Sequence, residues 1–415
     1  MKFRFLAPLM AASSLSLAHS VPSQNNPTTV DASLAATWRS ANVIGDYDYW
    51  QIPGTMMGGE AWPAEKGAQI DELNLGVAHR IDENFYGVIK FNHHAGGDDD
   101  HGGAELEHAY VGWVCCDDTG PWLVEAGRMS AQFSPGLAQH SVDRLASESP
   151  LALDVLFGRD FHDDGLRFWW HQMAGFSLGA EVWKGKAFPA TDTENGGAWD
   201  VFGQYQWQGE RLALTLGGWF YSAEAESRSD HRYGGGHQHV PVAPPGEIAT
   251  LFPDTRYTGE TEIAGAHFKL GYKLNPDWAL ALDGEWMQAK PDGVVHDGIG
   301  REANFTATQQ GGWLQPSITW RAHTFGLRAE QLNTDNKLTG AAAPQLAQDS
   351  GLANPLEHDP QRLTAIWRWQ WRKNIAIRAE AVQDESLPEK EHRWNLGIVW
   401  KETLWSSKTG LRGHH

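Results

Sequence analysis

Two sets of residues in this 415-residue chain have the types and spacings to do chemistry. The first pairs imidazole with carboxylate. His93 and His94 precede Asp98, Asp99, Asp100 and His101, and His231 precedes His237 and His239. Glycines at 96–97 and 234–236 would let both segments fold round an ion. Such ligands suit zinc, copper or nickel. Neither a His-Glu-x-x-His nor a Cys-x-x-Cys frame accompanies them. The reading is therefore loose gathering of a divalent metal such as zinc, with no resident cofactor, against the plain alternative of solvated loops with incidental histidine. The second set is electrostatic. Residues 133–163 carry Asp143, Glu148, Asp154, Asp160 and Asp163, with Asp164 at their edge, against Arg144 and Arg159. Farther on, Lys269, Lys273, Arg328, Arg368, Arg372, Arg378 and Arg393 fall on the polar side of alternating segments. Acid facing base across a wet gap would set a transverse field that orients dipolar solutes and excludes apolar ones.

The elements that must position these groups are strands. Trp367, Trp369 and Trp371 alternate with Arg368, Gln370 and Arg372. In 264–274, Ala266, Phe268, Leu270, Tyr272 and Leu274 share one face, and His267, Lys269 and Lys273 the other. Such period-two patterning marks a strand with one apolar and one wet face. Sixteen segments qualify, near 38–50, 71–81, 84–94, 104–116, 120–132, 164–172, 174–186, 198–208, 211–224, 262–275, 277–290, 310–321, 323–333, 361–373, 375–385 and 392–405. Connections after even-numbered segments are short, as at Asp82-Glu83, Gly209-Glu210 and Asn275-Pro276. Those after odd-numbered ones are mostly long, notably 51–70, 133–163, 225–261, 291–309 and 334–360. That asymmetry, with an even count, is expected of an outer-membrane barrel with short periplasmic turns.

Composition agrees. Mean hydropathy is −0.47, too low for helical membrane spans, yet the chain holds 21 Trp, 16 Phe and 45 Gly. The balance of 33 basic to 52 acidic residues argues against a nucleic-acid partner. Lys2 and Arg4, an apolar stretch to Ala18 and the small residues Ala18 and Ser20 read as a signal peptide over 1–20. The expected organisation is then a barrel over 21–405, opening on a mobile lead-in at 21–32, and a tail over 406–415. Cys115 and Cys116 are neighbours, and neighbours on a strand point to opposite faces, so two thiols are expected, against the alternatives of a strained vicinal disulfide or a metal-binding pair.

The pattern resembles the Gram-negative porins, and within them the phosphate-selective (O/P-like) group. The stretch Val124-Glu125-Ala126-Gly127-Arg128, leading to Phe133 and Pro135, resembles that group's approach to its third external loop. Phe157-Gly158-Arg159-Asp160, leading to Gly165, resembles the exit. The resemblance implies an all-β transmembrane antiparallel barrel of about 16 strands whose third external loop, 133–163, folds into the channel. The loop's Asp143, Arg144, Glu148, Asp154, Arg159 and Asp160 would then form the constriction, facing the basic wall. It also implies a homotrimer in the cell outer membrane, in contact with lipid and lipopolysaccharide, passing small hydrophilic solutes or ions and catalysing nothing. Two departures stand out. Such porins commonly finish on an aromatic residue, whereas Ser406 to His415 follow Trp405 here. The chain is also acidic, so phosphate selectivity is not carried over. Two other classes remain open. One is a barrel hydrolase using a serine such as Ser141, for which no nucleophile elbow is read from the sequence. The other is a secreted soluble β-protein binding metal or sugar.

Overall fold

The structure, a computed structural model, describes residues 21–23, 27–42, 51–59, 61, 65–94, 104–115, 122–171, 175–191, 197–229, 255–354, 356 and 358–407. Residues 1–20, expected to be a signal peptide, and 408–415, most of the expected tail, lie outside this set. Sixteen strands are present: β1 Thr28–Arg39, β2 Gly67–Arg80, β3 Phe85–His94, β4 Glu105–Val114, β5 Trp122–Ser130, β6 His162–His171, β7 Phe176–Trp183, β8 Ala198–Gln208, β9 Leu212–Ser229, β10 Arg256–Lys273, β11 Trp278–His296, β12 Glu302–Trp320, β13 His323–Thr339, β14 Gln361–Arg372, β15 Ile375–Glu385 and β16 Glu391–Ser406. Among the described residues two short helices lie in connections, α1 Leu151–Phe157 and α2 Ala343–Asp349. Each strand pairs antiparallel with its sequence neighbours, and β1 closes on β16 from Thr29↔Ser406 to Arg39↔Asn395. The sheet is a closed barrel without edges.

Alternation assigns the faces. On β16, Arg393, Asn395 and Val399 are buried, whereas Trp394, Leu396 and Ile398 are 67%, 54% and 43% exposed. Large apolar side chains are exposed on the outside all round the barrel, among them Leu75, Val111, Phe168, Leu178, Val201, Leu216 and Leu327. A soluble protein does not expose such a surface; a hydrocarbon layer covers it. At the end that carries the short turns, aromatic rings adjoin one another across strands. Trp278 lies 6.0 Å from Trp320, Trp320 5.8 Å from His323, and His323 6.0 Å from Trp369. Trp122 and Trp170 stack at 5.8 Å. This is the interfacial girdle of a transmembrane barrel.

The barrel is taller on one side. Strands β9 to β13 have 17–19 residues, against about 9–11 needed to cross the bilayer. Along them the outer face turns from apolar to polar on one line: Phe220 to Ser222, Ala264 to Glu262, Trp286 to Gln288, Gly312 to Gln310 and Ala329 to Gln331. Beyond that line polarity inverts. Glu260, Lys290, Asp292, Asp335 and Lys337 are exposed outside, while Tyr257, Val295, Ala303 and Phe305 are buried inside with Met56 and with Leu346 of α2.

Three expectations are corrected. The first strand lies at Thr28–Arg39 instead of 38–50, and so takes in 28–32 of the expected lead-in 21–32, because that stretch is polar while Tyr47, Tyr49 and Trp50 attract a strand assignment. The small residues have a purpose: Ala35 packs with Val142, Ala376 and Val399. The expected long connection 291–309 contracts to 297–301, since β11 and β12 extend past the membrane. Cys115 is disulfide-bonded, and the sequence has one other cysteine, Cys116, outside the described residues. β4 ends at Val114, so Cys115 lies outside the strand and the alternation argument does not apply to it.

Replacing Ile398 by Arg puts a charge in the lipid-facing belt. It is expected to destabilise the folded barrel by about 2–4 kcal/mol in reversible urea unfolding from lipid vesicles, whereas Arg at exposed Lys337, beyond the polarity line, is expected to cost nothing measurable.

Candidate functional site: a loop braced across a charged bore

The connection between β5 and β6, residues 131–161, supplies the densest set of contacts to the inner wall. Its two strands stand roughly opposite β13 to β16 in the ring order, yet it reaches them. Glu148 accepts from Arg362 at 3.0 Å and Arg393 at 2.6 Å, and its carbonyl accepts from Arg328 at 2.9 Å. Ser147 donates to Glu380 from both its amide and its hydroxyl, each at 2.6 Å. The Leu151 amide donates to Glu330 at 2.7 Å, and Glu330 also accepts from Arg328 and Arg362 at 2.8 Å. Arg368 and Arg378 donate to the carbonyls of Arg144 and Ser141 at 3.1 and 3.2 Å. Lys401 pairs with Asp143. The buried Arg328, Glu330, Arg362 and Arg393 each meet an opposite charge and further hydrogen bonds, as charges at that depth require.

Against β7 to β11 the same connection packs through aromatic rings. Phe133 sits 5.0 Å from Trp219 and 5.5 Å from Tyr221, and Phe161 5.3 Å from Trp183. Two carboxylates reach the connection on this side: Glu285 accepts from Ser134 Oγ at 2.7 Å, the Gly136 amide at 3.1 Å and Trp219 Nε1 at 3.2 Å, and Glu181 accepts from the Gln132 amide at 3.2 Å. Toward β2 to β4 the brace is His140, with Glu72 at 3.1 Å, Glu107 at 3.3 Å and Lys90 at 2.8 Å; Lys90 also pairs with Glu107 at 2.9 Å. A cavity of about 640 Å³ adjoins this side, lined by Asp31, Ser33, Asn74, Lys90, Lys401 and Thr403 among others.

The residues singled out in the sequence divide. Glu148 of the loop meets Arg328 and Arg393 of the wall, the Arg144 carbonyl meets Arg368, Asp143 meets Lys401, and Arg378 reaches the carbonyl of Ser141 instead. Arg144 also faces Asp160 at 3.7 Å. Asp154 and Arg159 pair with each other at 3.0 Å, where Arg159 holds φ +79° beyond the end of α1. Lys269 and Lys273 are exposed inward positions of β10 and take no part in the brace; Lys269 stands opposite Asp283. Arg372 lies at the β14–β15 turn with its guanidinium 4.9 Å over the Trp371 ring. His93 is half-buried at the end of β3. Asp98, Asp99, Asp100, His101, His231, His237 and His239 lie outside the described residues, as does the side chain of His94. Among the described residues no group of three or more His, Cys, Asp or Glu could hold a metal ion. Ser141 donates to the Ser147 carbonyl at 3.5 Å. A Gly-x-Ser-x-Gly pattern does occur at Gly175–Gly179, but Ser177 sits on β7 rather than at a strand-to-helix elbow, bonded to His171 at 3.1 Å.

Several partners were missed although alternation carries their signal. Arg362 shares the parity of Arg368, and Glu380 that of Arg378. Glu72 alternates with Leu73 and Leu75. Asp71 could not be found that way: a bulge pairs Ala35 with Glu72 and Ala36 with Ile70, which turns Asp71 inward onto Arg39 at 2.7 Å.

No protein-family model matches the chain, and no curated protein matches it. Solved structures do match in fold. A loop-deletion form of OmpT, an outer membrane protein of Vibrio cholerae, is 9% identical with a TM-score of 0.54, covering 91% of this chain and 100% of that one. The outer membrane channel DcaP of Acinetobacter baumannii is 12% identical at 0.51, covering 90% and 96%. Salmonella typhi OmpF, solved with daunomycin, is 12% identical at 0.50, covering 91% and 98%. With the closed sheet and the lipid-facing belt, this likeness defines an outer-membrane β-barrel of porin-like fold.

The two ends of the brace have opposite pH signs. Burial opposes ionisation of Glu148, but Arg393 and Arg362 outweigh it and hold the carboxyl well below 4.5. Its contribution is therefore present above the ordinary value and lost only in strong acid. Burial and Lys90 oppose protonation of His140, but Glu107 and Glu72 outweigh them and raise it above 6.5. Its contribution is full below the ordinary value and lost as pH rises through the raised one. Alkali is thus expected to speed amide exchange around residue 140 while 147–151 stay protected; His140→Ala removes that pH step. Glu148→Gln, which leaves two buried arginines under-compensated, is expected to cost about 3–5 kcal/mol and to release 147–151 at neutral pH.

Proposed function

We propose that the chain is an outer-membrane porin, a water-filled channel for passive diffusion of small hydrophilic solutes or ions, with the β5–β6 loop folded into the bore as its constriction. The carrying observation is the cavity of about 640 Å³ lined by Asp31, Asn74, Lys90 and Lys401, the last of which pairs with Asp143 of the loop. Acids of the loop against guanidinium groups of β13 to β16 form the charged section, and passage beside it selects by size and charge. Phosphate preference is not part of the proposal, because the wall arginines are matched by Glu330, Glu380 and Asp384. We further propose that the His- and Asp-rich external segments gather divalent metal at the mouth. The barrel is proposed to work as a homotrimer among lipid and lipopolysaccharide.

The test is single-channel recording of heat-modifiable, purified protein in a planar bilayer under a salt gradient. Discrete conductance steps are expected, with the sign of the reversal potential giving the favoured ion. Micromolar zinc is expected to alter the current, and His93→Ala with His94→Ala to weaken that effect. Silence from folded protein overturns the channel reading. An unchanged current in zinc overturns the metal reading alone. Native mass spectrometry reading a monomer overturns the trimer.

A further inference from the structure

We propose that residues 51–59, in the connection between β1 and β2, form a strap that acts as a second size filter across the external mouth, stacked on the β5–β6 loop. This rests on the channel reading. The strap leaves the barrel beside β1 and β2 but is bonded elsewhere. Gly54 accepts from Asn336 of β13 at 2.7 Å and Gln309 of β12 at 3.3 Å, and its amide donates to Gly351 at 2.8 Å. Gln51 donates to the Ser350 carbonyl at 2.8 Å. Farther along, Gly58 meets the Phe188 ring from the β7–β8 connection, and Gly59 meets Gly158 at the end of α1. The contacts thus run from β12 and β13 to the β7–β8 side, so the strap is a chord across the opening.

The strap is seated as a core element and not as a solvated loop. Ile52, Thr55 and Met57 are 0% exposed, and Ile52 and Met57 belong to the same apolar cluster as Phe133 and Phe157 of the loop beneath. The gap left between Met56, Leu156 and Phe188 is a cavity of about 30 Å³, room for a water and not for a solute. Two glycines make the seat. Gly54 holds φ +84°, and a methyl there would overlap the Thr334 hydroxyl. Gly59 holds φ +61°, and a methyl there would stand 3.0 Å from the Gly158 backbone. Any other residue at either place meets both a strained backbone and an occupied space. With the strap seated, the mouth is covered over the tall wall, and solutes enter on the remaining side. The strap therefore sets which sizes arrive at the constriction.

The experiment uses the full chain carrying Thr55→Cys, alone and with Gly54→Val, labelled from outside with a bulky maleimide and then recorded in bilayers. Alone, the cysteine is expected to stay unlabelled while an Ile299→Cys control, on an exposed tip, labels rapidly. With Gly54→Val it is expected to label, single-channel conductance to rise about 1.5-fold or more, and larger sugars to enter proteoliposomes. Asn336→Ala, which removes one donor and leaves the backbone alone, is expected to give a smaller shift in the same direction. Rapid labelling of Thr55→Cys alone, failure of Gly54→Val to expose it, or exposure without change in conductance or sugar cut-off each overturns the proposal. Folded protein without conductance in any form defeats the channel reading and the filter together, and the labelling still reports separately whether the strap is seated.

Discussion

Closure of β1 on β16 is the constraint on which the rest depends. In hydrocarbon no water can satisfy a free backbone group, so a sheet survives there only if its last edge is paired. The ladder from Thr29↔Ser406 to Arg39↔Asn395 provides that. Once the ring is closed, every strand has one face to lipid and one to the bore, and period-two sequence becomes a map of inside and outside. The inward charges follow from this. Arg362, Arg378 and Arg393 are tolerable because they stand where carboxylates of neighbouring strands and of a crossing loop can reach them.

How much of this was legible follows from the same rule. Strand count, turn asymmetry and the lipid face of β14 and β16 are written in local alternation, and local alternation survives unchanged in the fold. The first strand is not written that way. Its alanines are selected by Val142 of a loop more than a hundred residues away, so no local window shows why small residues belong there. The site divides likewise. Wall arginines were visible by parity. Their partners Glu330, Glu380 and Asp384 had the same signal but drew no attention, because a carboxylate on a wet face looks unremarkable until its cation is placed. Asp71 was hidden outright by a bulge that breaks parity. The strap was hidden because its apolar residues follow no period at all.

The interior also separates two ways of holding a loop. Toward β7 to β11 the connection is held chiefly by ring packing, with Glu285 and Glu181 as its polar ties. Toward β13 to β16 and β2 to β4 it is held by charge, which salt and pH both affect. The loop is thereby held by two chemistries, mainly apolar on one flank and ionic on the other. The acidic total of the chain says little about the solute path, since many of the acids nearest the loop are already engaged by arginine, lysine or histidine.

The tall wall has a consequence for how the protein gets into its membrane. Beyond the polarity line, β9 to β13 carry Glu260, Lys290, Asp292, Asp335 and Lys337 on the outer surface, and all of them finish on the far side. Dragged through lipid in a completed barrel, each lysine would cost about 2–4 kcal/mol at the midplane and each carboxylate less. Threading those hairpins while the ring is still open, through a passage that is not hydrocarbon, would avoid that cost, and β1 and β16, the chain's terminal strands, are the natural seam to close afterwards. The extra height thereby favours an order of events at birth.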